Sequence, residues 1–282
     1  MVINSKTSLQ EVLEIIKKEG KTVGLVPTMG ALHDGHLSLI NFAYSYCDTV
    51  VVSIFVNPTQ FNNASDLEKY PRNVNNDAGF LKQHNSKTII FTPDVSDIYN
   101  DKVEAESFDF GSYVDFMEGE FRVGHFDGVG SVLKRLFDIV KPDKAFFGEK
   151  DFQQLMVVKK LVKITDQDVE IIGCPTSRNE FGLAQSSRNF RLTDSELKVA
   201  ELIYKALSKA KKMFDNNSIK EIENEIVNMF KDEPAFELEY FSIVKENDLI
   251  PTKIKEPKQN YRAFIAAFLG EVRLIDNMAL NY

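Results

Sequence analysis

Residues 49–56, Thr-Val-Val-Val-Ser-Ile-Phe-Val, constrain this chain more than any other stretch. A continuous β-branched run of that length, stopped by Asn57-Pro58, reads as a strand buried on both faces rather than one with a wet side. Such a strand belongs inside a parallel sheet, and parallel neighbours need helical crossovers. The sequence supplies both. Short strand patterns fall at 22–26, stopped by Pro27, at 88–91, stopped by Pro93, and at 144–147 and 169–174. Helical patterns separate them. In 8–20, Leu9, Val12, Leu13 and Ile16 make one apolar stripe and Ser8 with Glu11 has capping-box spacing. Further helical patterns occupy 37–47, a polar 75–83, 129–140 with Leu133, Leu136, Phe137 and Val140 on one side, and 151–162.

Strand and helix thus alternate about five times over the first 175 residues, the order of an α/β protein with a Rossmann-like parallel sheet. In such sheets ligands sit outside the carboxyl ends of the strands. The loops starting at Pro27, Asn57, Gly148 and Pro175 each follow a strand pattern and are placed to line one crevice. The tail differs. Residues 196–214 and 218–230 read as charged amphipathic helices, and 237–244, 263–269 and 271–275 alternate as strands of a smaller α+β C-terminal domain with an antiparallel sheet. The expected division is 1–176 and 177–282.

Hydrophobic residues make up 43% of the 282 and charged residues 27%, a balance that supports a packed core and excludes intrinsic disorder. Lys and Arg number 34 against 42 Asp and Glu, a formal charge of −8. So acidic a chain lacks the broad cationic face that phosphate-backbone binding requires, and no nucleic-acid partner is expected. No apolar stretch approaches the length of a bilayer span, so no membrane partner is expected either. Residues 1–20 read polar and helical, without the apolar core of a signal peptide. Cys47 and Cys174 stand alone, with no CxxC pair, and are expected as core residues in a reducing, cytoplasmic setting.

The most informative segment is Pro27-Thr28-Met29-Gly30-Ala31-Leu32-His33-Asp34-Gly35-His36. A strand runs into a loop with two glycines and then into a helix whose first turn holds His36. Glycine lets phosphate approach the backbone, and a helix N-terminus offers N–H donors and positive partial charge. His33 and His36 add imidazole N–H groups aimed from one side. Two His spaced HxxH also suit zinc, but no third ligand cluster lies nearby.

This loop resembles the HxGH signature of the nucleotidyltransferase superfamily, and the full string PTMGALHDGH looks like the pantothenate synthetase (pantoate–β-alanine ligase) family. The resemblance continues in the family's order through Phe55-Val56-Asn57-Pro58-Thr59-Gln60-Phe61, Tyr70-Pro71-Arg72, Gly124-His125-Phe126-Asp127-Gly128-Val129, Phe147-Gly148-Glu149-Lys150-Asp151 and Ser186-Ser187-Arg188-Asn189. It implies ATP-dependent condensation of (R)-pantoate with β-alanine through a pantoyl adenylate, with release of pyrophosphate and AMP. It also implies a Rossmann-like ATP- and pantoate-binding domain, a smaller lid domain, magnesium held mainly through the ATP phosphates, and a homodimer.

By the same resemblance His36 is the proton donor, with His33 its companion at the phosphates and Lys150 a third catalytic residue. Met29, Gly30, Ala31, Leu32, His33, Asp34, Gly35 and His36 line the ATP site, together with Gly148, Glu149, Lys150, Asp151, Ser177, Gln185, Ser186, Ser187 and Arg188. Gln60 and Gln154 bind pantoate, and Gln60 also binds β-alanine. No residue is assigned to a metal. Asn57 is a weaker candidate for β-alanine and Arg122 for phosphate. The chemistry suits these residue types. A carboxylate is a poor acyl donor until adenylation gives it a leaving group, and the charge gathers on phosphate, so the protein's task is positioning and charge stabilisation. An imidazole, with a reference pKa of about 6.5, can donate near neutrality. A primary amide at Gln60 meets hydroxyls and a carboxylate without adding charge. Gln154 lies four residues past Lys150 and three past Asp151, hence on one helical face with both. Ser177, Phe181 and Gln185 depart from the family's usual residues, which leaves the loop before Ser186 open. The rivals are a nucleotidyltransferase that releases its adenylated product and a binding protein without catalysis; a P-loop kinase is excluded by the lack of GxxxxGK[ST].

Overall fold

The computed structural model describes residues 1–61, 67–68, 70, 73–99 and 102–281. Pro71 and Arg72 of the Tyr70-Pro71-Arg72 block lie outside the described residues. Six strands form one sheet: β1 (Val2–Ile3), β2 (Val23–Thr28), β3 (Thr49–Ile54), β4 (Ile89–Phe91), β5 (Lys144–Gly148) and β6 (Glu170–Cys174). All their pairings are parallel, in the order β1-β4-β3-β2-β5-β6. The chain winds outward from β2 through β3 to β4, then returns to the other side of β2 for β5 and β6. The direction reverses between β2 and β5, and α/β sheets bind ligands outside the carboxyl ends of the strands at such a reversal. As expected, residues Val50 to Phe55 are buried throughout.

Two compact units divide the chain. The first comprises Met1–Phe110, Arg122–Glu149 and Gln154–Pro175, and the second comprises Gly111–Phe121, Lys150–Gln153 and Thr176–Tyr282. The second unit's sheet is antiparallel, β7 (Phe236–Lys245), β8 (Tyr261–Leu269) and β9 (Val272–Ala279). Helices Glu201–Met213 and Ile219–Lys231 bury Ile203, Leu207, Ile222, Ile226 and Phe230 in a core with Ile243, Tyr261 and Ile265. Two short segments, placed by chain order with the first unit, belong to the second. Their attachments explain this: Glu118 pairs with Arg273 of β9 at 2.7 Å, and Asn277 of β9 donates to the Lys150 carbonyl at 2.7 Å.

Several elements depart from the sequence reading. Helix α1 (Lys6–Lys18) is capped by Ser5, whose Oγ accepts the Ser8 N–H at 3.3 Å, so it starts ahead of the Ser8–Glu11 spacing. β2 continues through Pro27 to Thr28. Its pairing with β5 covers only Gly24 and Leu25, so the proline lies past that ladder, where a missing N–H is tolerated. The helix expected at 196–214 is two, Asp194–Val199 and Glu201–Met213, separated at the fully buried Ala200. The helix expected from 151 begins only at Phe152, because Glu149–Asp151 is a 3₁₀ turn.

One packing contact fixes the loop after β3. Helix His125–Val140 lies against the turn Pro58–Gln60 so closely that a Cβ on Gly128 would sit 2.4 Å from the Thr59 carbonyl oxygen and 2.5 Å from the Gln60 Cα. Both obstacles are backbone and cannot rotate away. Gly128→Ala is therefore expected to cost about 1–3 kcal/mol in urea denaturation, and a variant as stable as the parent would show that the turn yields.

Candidate active site

β2 ends at Thr28, and helix α2 (Asp34–Tyr44) begins six residues later. Between them Gly30 and Ala31 both take the left-handed conformation, φ +86° and +50°. Helix α2 opens on His33 as its N-cap, and the two imidazoles cap it reciprocally. His33 Nδ1 accepts the Gly35 N–H at 3.1 Å, and His36 Nδ1 accepts the His33 N–H at 3.3 Å. An imidazole nitrogen that accepts carries no proton, so each neutral ring bears its hydrogen on Nε2. The rings lie 4.1 Å apart, centroid to centroid. This corrects one expectation. Loop and helix N–H groups thought available to phosphate are already engaged: Gly35 and His33 by the imidazoles, and Ala31 and Leu32 by Asp77 at 3.0 and 2.8 Å. The donors that the cap sets in their place are the two ring Nε2–H groups.

Gln60 is buried. Its Oε1 accepts from Asn57 Nδ2 at 3.1 Å, and its Nε2 lies 2.9 Å from the Met29 sulfur. Asn57 also donates to the Gly128 carbonyl at 3.0 Å, and its Oδ1 accepts from Tyr99 at 2.5 Å. His125 Nδ1–H donates to the Gln60 carbonyl at 2.8 Å, and its Nε2 accepts from the Arg122 guanidinium at 3.1 Å. The structure thus gathers Met29, Asn57 and Gln60 beside the capped loop, and engages Arg122 with His125.

The Gly148-Glu149-Lys150-Asp151 segment leaves β5 at the other side of the reversal. Lys150 Nζ lies 3.4 Å from Asp151 Oδ1. The 3₁₀ turn across 149–151 breaks the helical face that was to carry Lys150, Asp151 and Gln154 together. Gln154 is half-buried in the first unit. Its neighbour Gln153 is buried in the second, donating to the Tyr113 and Phe116 carbonyls and accepting the Glu118 N–H.

In the second unit, residues 177–185 form a tight hairpin closed by an Arg178–Ala184 bridge and a Gln185 N–H to Ser177 carbonyl bond at 2.9 Å. Phe181 is exposed at its tip and Gln185 pairs through its backbone, so neither unusual side chain disturbs it. Ser186 then caps the 3₁₀ turn Ser187–Arg191 by accepting the Arg188 N–H at 3.3 Å. The hairpin is held from β9. Arg178 donates two bonds to Asp276, at 2.5 and 3.1 Å, and a third to the Gly182 carbonyl at 2.9 Å. Burial pushes the Asp276 carboxyl above the usual carboxylate range, while Arg178 pulls it down. Sequence reasoning missed Arg178, Asp276 and Asp77, because a lone charge in a loop, a strand or a helix's first turn reads as solvated. Cys47 and Cys174 are buried as expected, and burial pushes their thiols up to about 11 and about 12.

A six-stranded parallel sheet whose loop after β2 enters a helix through paired HxGH imidazoles makes this an α/β protein with a Rossmann-like sheet. Comparison with known proteins narrows it. Residues 1–279 match the family described as Pantoate-beta-alanine ligase. A curated relative from Christiangramia forsetii, named pantothenate synthetase, is 50% identical over 99% of both chains. The crystal structure of pantothenate synthetase from Thermus thermophilus superposes with a TM-score of 0.91 at 35% identity, covering 100% of this chain and 99% of that one. The structure of a pantoate-beta-alanine ligase from Francisella tularensis, complexed with beta-gamma ATP and beta-alanine, gives 0.80 at 36% identity, covering 99% and 97%. The chain belongs to the pantoate–β-alanine ligase family.

The Arg178–Asp276 pair yields a signed prediction. Arg178→Ala leaves a buried carboxylate without its guanidinium, at a cost of about 3–5 kcal/mol. The Asp276 carboxyl is then higher still in the folded state than in the unfolded one, so folding binds a proton and stability falls as pH rises. Urea denaturation should show a smaller deficit near pH 4 than at pH 8. A deficit independent of pH would mean that Asp276 finds another partner.

Proposed function

We infer that this chain condenses (R)-pantoate with β-alanine at the expense of ATP, through a pantoyl adenylate. The observation that carries this reading is the family match across residues 1–279. The pantoate carboxylate attacks the α-phosphorus and pyrophosphate leaves; the β-alanine amine then attacks the acyl carbon, and AMP leaves. Adenylation needs donors where charge develops on phosphate oxygens. The ring nitrogens of His33 and His36 suit that role, and His36, protonated as the phosphates bind, is the proton donor in this reading. Met29 to His36, Gly148 to Asp151, Ser177 and Gln185 to Arg188 are the proposed ATP-binding residues, with Lys150 and Arg188 supplying the positive charge. Gln60 and Gln154 are the proposed pantoate ligands. After adenylation Gln60 also meets β-alanine, and its buried, pre-oriented amide supports that assignment.

Among the described residues no group of three or more His, Cys, Asp or Glu side chains converges to cage a cation. Magnesium therefore enters this proposal only as the companion of the ATP phosphates, and no step is routed through it. Among the described residues no helix is long and apolar enough to cross a membrane; a cytoplasmic setting and a homodimer complete the proposal.

The decisive experiment is isotope exchange. Labelled pyrophosphate should enter ATP when pantoate is present and β-alanine absent, and adding β-alanine should convert the held adenylate to pantothenate and AMP. Exchange that ignores pantoate, or ADP as product, would overturn the reading. His36→Ala should fold normally and lose roughly a hundredfold or more in exchange rate. Gln60→Ala should weaken use of pantoate and β-alanine by about 1–3 kcal/mol while leaving ATP affinity nearly unchanged; loss of ATP binding with pantoate binding intact would move Gln60 to the nucleotide.

A further inference from the structure

Asp77 belongs to helix Val74–His84, which the sequence shows only as a polar crossover. Its carboxylate is nevertheless buried and spans two consecutive loop amides, Oδ2 accepting from Ala31 and Oδ1 from Leu32. Ala31 is the residue that most needs holding. Its φ of +50° is a conformation that L side chains with a Cβ rarely adopt, and it persists only where the surroundings over-determine it. Gly30 just before it is also left-handed, and a Cβ there would come within 2.9 Å of Asp77 Oδ2, so carboxylate and loop leave no slack. Two residues past Ala31, the His33 N-cap sets the directions of both imidazoles.

We propose that Asp77 is a positioning residue for the adenylation step: its carboxylate locks the left-handed turn at Ala31, and through that turn fixes His33 and His36 in their reciprocal cap. The inference rests on the synthetase reading above for the reaction it serves, but its structural half stands apart from it. A carboxylate so close to a loop proposed to receive a triphosphate keeps its charge and opposes that ligand, so its place there calls for a positioning role, and the two charge-assisted N–H bonds supply one. Asn at this position offers one acceptor oxygen and turns an NH₂ donor toward the second amide, so it is not a conservative replacement.

The test uses the full chain and four variants. Asp77→Ala and Asp77→Asn should each reduce pantoate-dependent pyrophosphate exchange by about tenfold or more, the scale of a misplaced catalytic group, and mainly in kcat rather than in the KM for pantoate. In ring-¹⁵N NMR of the ligand-free protein, His33 and His36 should both read as Nε2–H tautomers in the parent and as tautomer mixtures in these two variants. The other two variants are Ala31→Gly alone and Ala31→Gly combined with Asp77→Ala. With Ala31→Gly already in place, Asp77→Ala should cost less rate than it costs the parent, because glycine adopts positive φ without the carboxylate's help. A folded Asp77→Asn protein with parental exchange and parental tautomers overturns the inference. So does a loss from Asp77→Ala that is the same with and without Ala31→Gly. If the parent shows no pantoate-dependent exchange, the synthetase reading fails, and the tautomer measurement alone decides whether Asp77 sets the cap.

Discussion

The reciprocal cap of helix α2 is the interaction on which the first unit's candidate site depends. Two imidazoles spend their Nδ1 atoms on backbone N–H groups and so commit their protons to Nε2. An ordinary Ser or Asp cap satisfies the same orphan amides but presents nothing further. Histidine caps here at 3.1 and 3.3 Å, no looser than the 3.3 Å serine cap of α1, and in addition converts helix-terminal donors into side-chain donors that reach beyond the backbone. A doubly protonated ring would turn a donor against the N–H it now accepts, so a ring that takes up a second proton leaves the cap.

The two units stabilise their functional segments by different means. The first combines close backbone approach and neutral amides, Gly128 against the Thr59 carbonyl and Asn57 between Gln60, Tyr99 and the Gly128 carbonyl, with the buried Asp77 carboxylate on the Ala31 and Leu32 amides. The second relies on buried charge. Arg178 is clamped on Asp276, Arg273 joins Glu118 to Glu239 at 2.7 and 2.5 Å, and Arg262 bonds Glu246 while lying 3.7 Å over the Phe152 ring. Buried pairs cost desolvation that their attraction only partly offsets, so they are poor sources of stability and good sources of unique geometry. That suits a hairpin whose tip residue, Phe181, is exposed and adds little burial of its own.

How far the sequence could be read follows from this difference. Periodicity revealed the strands and crossovers because burial writes itself into residue type, as in Val50, Val51 and Val52. It ended β2 too early, since proline reads as a stop and the ladder that excuses Pro27 is a tertiary fact. It joined Lys150 to Gln154 on one face, because no residue at 149–151 announces a 3₁₀ turn. The HxGH loop was legible from its strand, glycines and helix start, whereas the SSRN block and the role of Gln60 were legible only through the family's pattern. Asp77, Arg178 and Asp276 were silent altogether. Each gains its role from a partner 45 to 98 positions away, and single-sequence reasoning has no access to that distance.

A chain of net charge −8 that handles a polyanion must keep its carboxylates occupied near the segments it presents. Two acids obey that rule. Asp77 faces two amides, and Asp276 faces Arg178 and the Asn277 N–H. In both the negative charge is turned toward the protein's own donors. The acidity that argues against nucleic acid is thus compatible with ATP. What matters at a phosphate site is the local direction of donors, and the overall balance of Lys and Arg against Asp and Glu decides only which large polyanions are kept away.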